Sequence, residues 1–520
     1  MTTVGVVRRR DAAFAAALIF VWLAVTAWAR PLALPDEGRY VGVAWEMLRS
    51  GDWLTPTLNG LPFFHKPPLF YWLTAGSMKV FGVNEWAARI ASVLGAWTGA
   101  FAVYCFVQRW SGTRAARLTL VALLAQPLYF VGAQFANLDM LVAGFITAST
   151  LLFVHAALNI EVRRPYRRAL TAAYAMAALG VLTKGLIGAV IPSLVLVCWL
   201  VSQRRWASLR SLLWLPGLAS FLLLCAPWFI ATQARYPDFL HYFFVVQHFT
   251  RFAGSGFNSV EPVWFYPAIL LGLSLPWWPW LYRAVVYKNP VQTARIELRW
   301  LLWIWLAVVV IFFSIPKSKL LGYVLPALPP LACLIADGYL RLTAPSVTQR
   351  RIWWGGAVLG LTLCLGTVAA LSTHPRHSSR QLAEVLRAKR GLNEPVFMLH
   401  HYYYDVAVYA RLEDVVSVVE DWTDPELSKA DDWRKELVDA ARFARERSAK
   451  VLLAESALAN AVCASPVSWV IGYTPFATSH RFLNKGIAVF QNADTTLWRL
   501  DLTAAGLAAE LNCAGGAIKP

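Results

Sequence analysis

LPDEGRYVGVAWEMLRSGDWLTPTLNGLPFFHKPPLFYWLTAGSMKVFG, residues Leu34 to Gly82, separates the first two strongly apolar stretches of the chain. A simple connection between two membrane spans needs few charges, yet this one carries Asp36, Glu37 and Arg39 where the first apolar stretch ends. Asn59-Gly60 is a turn signal, and Phe63-Phe64-His65-Lys66-Pro67-Pro68 follows it. Acids, cations and aromatic rings gathered at a bilayer face suit a substrate with a charged head and a greasy tail. The spacing predicts short interfacial helices over Asp36–Ser50 and Pro67–Gly82, with Pro67-Pro68 in a first helical turn and Phe70, Tyr71 and Trp72 at headgroup level.

The remainder of the chain sets this stretch in a membrane protein. Of 520 residues 58% are hydrophobic and only 15% charged, whereas soluble chains carry about 25% charge. The mean hydropathy is +0.49. Arg8-Arg9-Arg10 precedes an apolar run from Ala12 to Ala29, long enough for an uncleaved anchor, with signal cleavage after Ala27-Trp28-Ala29 as the alternative. Further spans are expected near 86–108, 118–132, 140–158, 169–182, 185–201, 212–232, 263–281, 300–314, 320–338 and 352–371, eleven in all, with room for two more in broken regions. A net charge of +18 invites a nucleic-acid reading, but the arginines fall on alternate loops and act as the orientation signal. No nucleic-acid partner is expected. The arginine-rich loops are then cytoplasmic, and Leu34–Gly82, Gln134–Asp139, Gln233–Pro262 and Pro316–Lys319 lie outside.

Past Ser372 the composition turns polar. Arg376–Arg390 reads as a helix, Asp431–Ser448 as one amphipathic helix, and Pro395–His401, Asp414–Glu420, Val451–Ala454 and Ile487–Gln491 as strands. The expected organisation is a membrane domain over 1–372, including outer loops at 34–85 and 233–262, then an α/β domain over 373–520. Five cysteines lie in apolar segments, while Cys463 and Cys513 lie in the polar part and can pair in an oxidising compartment. The absence of CxxC or Cys/His ligand spacing argues against a structural zinc site. His400-His401 reads as ordinary surface.

Ionisable residues at span ends are functional candidates. Asp36 and Glu37 also suit a helix start, where acids are favoured. Lys66, Arg251 in QHFTRF, and Lys317 and Lys319 in IPKSKLLGY are outer-face cations against the positive-inside trend. Single cations there commonly only snorkel, but several together can hold a lipid phosphate. Asp139 in FANLDM and Lys184 in LTKGLIG read equally as helix caps or as site residues. His65 and His248 are weak candidates for a metal site.

Taken in order, PDEGRY, SGDW, NGLPFFHKPP, NLDM, LTKG, DFLHYFFVVQHFTRF, VEPVWFYPAILLGLSLPW and PKSKLLGYVLPALPP resemble the lipid A aminoarabinose transferases. These belong to the polyprenyl-phosphate-sugar-dependent GT-C glycosyltransferases, which include the protein O-mannosyltransferases. The match runs from about Leu34 to Leu334. It implies a mainly α, polytopic GT-C fold with a small C-terminal periplasmic α/β domain. The implied reaction carries 4-amino-4-deoxy-L-arabinose from undecaprenyl phosphate to lipid A on the periplasmic face of the bacterial inner membrane. By motif, Asp36 matches the first-loop acid with Arg39 near it, Lys66, Arg251 and Tyr323 match the carrier-phosphate group, and Asp139 and Lys184 match polar cavity residues. The family pattern has Glu at His65, an aromatic hydroxyl at Phe63 and Gly at Ser318. The Glu is tied to a metal-like site, so a divalent metal stays open although the chemistry requires no cofactor. The substitutions leave room for another sugar, or for another acceptor such as lipopolysaccharide core, another glycan or protein. The other partners expected are membrane lipids, and the protein is expected to be a monomer. A lipid transporter is the rival class, disfavoured because the charges cluster on one face and no repeat is visible.

Overall fold

The computed structural model describes residues 9–250, 260–286, 296–342, 344–373, 378–428, 432–503 and 506–513. The chain divides into two compact units, one formed by Met1–Arg30 and His65–His374, the other by Pro31–Phe64 and Pro375–Pro520.

The first unit is helical, and each of the eleven expected spans coincides with helix. Five helices among the described residues are long and apolar enough to cross a membrane: Glu85–Ser111, Leu138–Glu161, Leu215–Arg235, Leu321–Leu340 and Val347–Thr373. A sixth candidate is broken. Thr113–Leu124 and Pro127–Ala133 meet at 72°, because Pro127 drives Gln126 into an extended conformation and cannot continue the hydrogen-bond ladder. Ile187–Ser202 and Leu298–Ser314 are shorter apolar helices.

Helix Leu138–Glu161 is the hub, buried along nearly all of its apolar length. It packs on Glu85–Ser111, where a Cβ on Gly144 would come within 2.0 Å of the Gly95 carbonyl oxygen. Without a hydrophobic drive between helices in lipid, such close backbone contact supplies the attraction. By contrast, Leu215–Arg235 and Val347–Thr373 are apolar but only 28% buried. Exposed apolar faces of that size suit lipid as the solvent. This is a membrane protein.

The second unit contains a six-stranded sheet in the order β5-β4-β3-β6-β8-β7. Its strands are β3 (Val396–Leu399), β4 (Ser417–Val419), β5 (Leu452–Leu453), β6 (Val467–Tyr473), β7 (Ile487–Gln491) and β8 (Thr495–Asp501). Pairs β3–β4, β4–β5 and β3–β6 are parallel, and β6–β8 and β7–β8 antiparallel. The expected strands β3, β4, β5 and β7 are present, while β6 and β8 go beyond the sequence reading. The single helix expected over Asp431–Ser448 is instead two, Trp433–Ala441 and Arg445–Val451, because Ala444 leaves helical geometry at φ −152°. Cys463 and Cys513 form a disulfide.

Residues 31–64 build the helix Asp36–Ser50 and the hairpin β1 (Thr57–Leu58)–β2 (Leu61–Pro62). Asn59 and Gly60 both have positive φ, 52° and 75°, the geometry of a two-residue hairpin turn. The buried Glu46 carboxylate accepts from the Asn59 and Gly60 N–H groups and from the Thr57 hydroxyl, tying hairpin to helix. Asn59 then extends the C-terminal sheet region, donating Nδ2 to the Val416 carbonyl at 2.8 Å and accepting from the Val416 N–H at 2.9 Å.

Candidate functional site

The candidate residues form two groups, one in each unit. In the helical unit, Asn137 caps helix Leu138–Glu161 and accepts from the Asp139 N–H at 2.8 Å, which fixes Asp139 in the first turn. Lys184 ends helix Arg167–Lys184, and Gly185 at φ 84° turns the chain away. The two side chains form an ion pair, with only 11% of Lys184 and 8% of Asp139 exposed. The Lys184 ammonium also sits 4.3 Å from the centre of the Tyr323 ring, a cation–π contact. Gly322 makes the approach possible, since a Cβ there would come within 2.3 Å of Asp139 Oδ2.

The segment carrying Tyr323 is held from several sides. Tyr266 donates its hydroxyl to the Leu320 carbonyl at 2.9 Å. Val260 and Ser318 form an antiparallel bridge, and the Glu261 N–H donates to the Lys317 carbonyl at 3.1 Å. Lys319 is buried and donates to the Glu261 and Pro316 carbonyls at 2.8 and 2.7 Å. Its ammonium braces the loop, whereas Lys317 is exposed. His65 is buried, its ring 6.1 Å from that of Tyr242. Lys66 is half-buried. Arg251 and the His248 side chain lie outside the described residues.

In the other unit, helix Asp36–Ser50 starts with both acids. Glu37 is fully buried and accepts from the Ala33 N–H at 2.8 Å, closing the turn that enters the helix. Asp36 is about one-third exposed and accepts from Arg39 at 2.6 Å. Arg39 makes a second ion pair with Glu436, whose other oxygen accepts from the Tyr404 hydroxyl at 2.6 Å. Burial opposes the Arg39 charge, but Glu436, Tyr40, Tyr404 and Asp36 together hold its pKa well above the ordinary arginine value. The cation is therefore permanent and fixed, and Asp36 is the partly solvent-facing member of the network.

Sequence reasoning missed Tyr266, Gly322, Tyr404 and Glu436. The GY pair after KSKLL and the WFYP run carried a local signal for the first two. Nothing near Glu436 marks it, because its partner lies almost 400 residues earlier.

A polytopic helical unit with ionisable side chains gathered at helix ends, followed by a small α/β unit, is the architecture of the GT-C membrane proteins. Residues 65–230 match the family model described as dolichyl-phosphate-mannose-protein mannosyltransferase. The chain is similar to the undecaprenyl phosphate-alpha-4-amino-4-deoxy-L-arabinose arabinosyl transferase of Aeromonas salmonicida, 36% identical over 67% of this chain and 64% of the relative. It is also similar to the protein of that name from Shewanella sediminis, 33% identical over 60% of this chain and 56% of the relative. Each match thus spans less than two thirds of the relative's length. Among solved structures, ArnT from Cupriavidus metallidurans bound to undecaprenyl phosphate superposes with TM-score 0.80 at 24% identity, covering 96% of this chain and 99% of that one. Its apo form gives 0.77 at 25% identity, covering 95% and 99%. Over the stretch that aligns, the chain is similar to these aminoarabinose arabinosyl transferases, and it has the GT-C fold.

Proposed function

We propose that the protein is a glycosyltransferase of the bacterial inner membrane that moves 4-amino-4-deoxy-L-arabinose from undecaprenyl phosphate to a lipid A phosphate on the periplasmic side. The observation that carries the reading is the Asp139–Lys184–Tyr323 cluster, whose first two members lie in the stretch that matches the mannosyltransferase family. The relatives' shared name supports donor and sugar. The disulfide and the arginine-rich alternate loops support a periplasmic face for the second unit.

In the proposed reaction an acceptor oxygen attacks C1 of the sugar. The bond from C1 to the carrier phosphate oxygen breaks, and its electron pair stays on that phosphate. Lys184, aligned by Asp139 and Tyr323, faces the negative charge as it grows, with Lys66 and Arg251 as further cations for the same phosphate. A phosphate acceptor enters as an anion and gives up no proton, so Asp36 orients it. A hydroxyl acceptor would lose its proton to Asp36. A single displacement inverts C1. No step runs through a metal.

Lipid A mass spectrometry in cells with and without the gene tests the proposal. Loss of a pentosamine-sized addition on deletion is expected, and unchanged lipid A refutes the acceptor. His65, where the family pattern has Glu, favours one alternative: another carrier-linked sugar delivered to lipopolysaccharide core, another glycan or protein.

A further inference from the structure

His400, Glu455 and His480 of the second unit each offer one ligand atom, and the three atoms lie within 4.8 Å of one another. We propose that they bind a divalent transition-metal ion of the zinc class, at a site separate from the transfer chemistry. Two imidazoles and one carboxylate suit zinc, whereas magnesium and calcium prefer all-oxygen shells.

The topology places these residues where a parallel sheet collects ligands. His400 directly follows β3, Glu420 directly follows β4, Glu455 follows β5, and His480 comes after β6. In the order β5-β4-β3-β6 these four strands are parallel neighbours, so all four residues emerge at their carboxyl ends. The connections run from β3 outward to β5 and then return across β3 to β6. The reversal falls between β3 and β6, the strands that precede the two histidines. Open α/β sheets bind ligands at that crevice.

The surrounding contacts orient both rings as a metal site requires. His400 Nδ1 lies 3.2 Å from Glu420 Oε1, and His480 Nδ1 lies 3.0 Å from Ser479 Oγ. With Nδ1 engaged on each ring, Nε2 is the nitrogen available to an ion, the arrangement seen when outer carboxylates or hydroxyls fix ligating histidines. His480 Nε2 already lies 3.1 Å from Glu455 Oε1. Tetrahedral ligands around zinc stand about 3.4 Å apart, so small side-chain rotations close the site. Phe476 packs edge-on against His400 at 5.1 Å and against His480 at 6.3 Å, and Phe482 against His480 at 5.9 Å. These rings pack against the edges of the imidazoles and restrict their rotation. Glu455, 56% exposed, leaves one side open for water as a fourth ligand. His400, read from sequence as plain surface, is thus part-buried and paired, and the ligands are missed by motif spacing because 80 residues separate the two histidines.

The test uses the full chain in detergent, stripped with chelator and dialysed against zinc chloride, with bound metal counted by mass spectrometry. His400→Asn and His480→Gln are expected each to remove one zinc per chain, and asparagine tolerates the positive φ of His400, 48°. Glu420→Gln is expected to weaken zinc binding about 10–100-fold by loosening His400. Cobalt(II) bound to the wild-type chain is expected to give the intense visible bands of a four-coordinate ion, a readout that needs no variant to fold. Zinc counts equal in the wild type and both histidine variants overturn the proposal. So does zinc lost only in His65→Ala, or a cobalt spectrum identical to the hydrated ion. None of these results bears on sugar transfer.

Discussion

Replacing Lys184 by methionine removes the ammonium and leaves Asp139 with 8% of its side chain exposed and no counter-charge from Lys184. Breaking a buried ion pair at one end costs about 3–5 kcal/mol, chiefly the penalty of the stranded charge. The cation–π contact with Tyr323 at 4.3 Å is lost as well, about 2 kcal/mol where water is excluded. The double variant Asp139→Asn/Lys184→Met keeps the second loss and removes the first, so it is expected to regain most of the stability. Activity should not follow. If Lys184 faces the leaving phosphate, its absence costs about 2.7–4 kcal/mol of transition-state stabilisation, or roughly 100–1000-fold in rate, in single and double variants alike. Thermal unfolding in detergent reads the stability, and initial rates of sugar transfer to lipid A in proteoliposomes read the chemistry. A double variant that regains stability and transfers at more than a tenth of the wild-type rate would refute the reasoning, since the pair would then serve only to hold two helices together.

Three further outcomes are expected. Asp36→Asn should leave thermal stability within about 1 kcal/mol, because the carboxylate is part-exposed, yet lower transfer by about 100-fold or more if Asp36 handles a hydroxyl acceptor; full activity ends that role. Burial pushes the Asp405 carboxyl up from 3.8 to about 6 although it accepts from Ser378 and Ser379. The native state therefore holds this proton more tightly than the unfolded one, and stability falls as pH rises from about 4 through about 6, by roughly 3 kcal/mol. Asp405→Asn should flatten that slope in unfolding midpoints taken between pH 4 and 7.5, and an unchanged slope assigns it to other groups. Removing the Cys463–Cys513 disulfide, with 50 residues of separation, should cost about 4 kcal/mol by loop entropy, read as a lower unfolding midpoint in Cys463→Ser than in the oxidised wild type; equal midpoints contradict it.

The membrane helices were legible because apolar runs of about 20 residues have few other readings in a chain so poor in charge. Site candidates at span ends were legible for the related reason that charge is costly there, and Asp139 and Lys184 do meet. What failed to show was the set of partners each side chain meets in the folded chain. Strand β6, VSWVIGY, is buried along nearly its whole length and so lacks the alternation that marks a half-exposed strand. Glu37 reads as chemistry in sequence but spends its carboxylate on the Ala33 N–H. Lys319 reads as a phosphate ligand but is committed to two carbonyls. Glu436 had no signal at all, since only the folded unit places it against Arg39.

The second unit is assembled from residues 31–64 and 375–520, so its two pieces leave the ribosome far apart in time. At roughly 5–20 residues per second the first piece waits on the order of 15–60 s for its partner. During that interval the helix Asp36–Ser50, with Val41, Val43, Ala44 and Met47 fully buried in the finished protein, lacks the later segment that packs against it. A chimera that exchanges only the C-terminal segment between relatives will therefore mismatch the older piece, and swaps should carry both segments together.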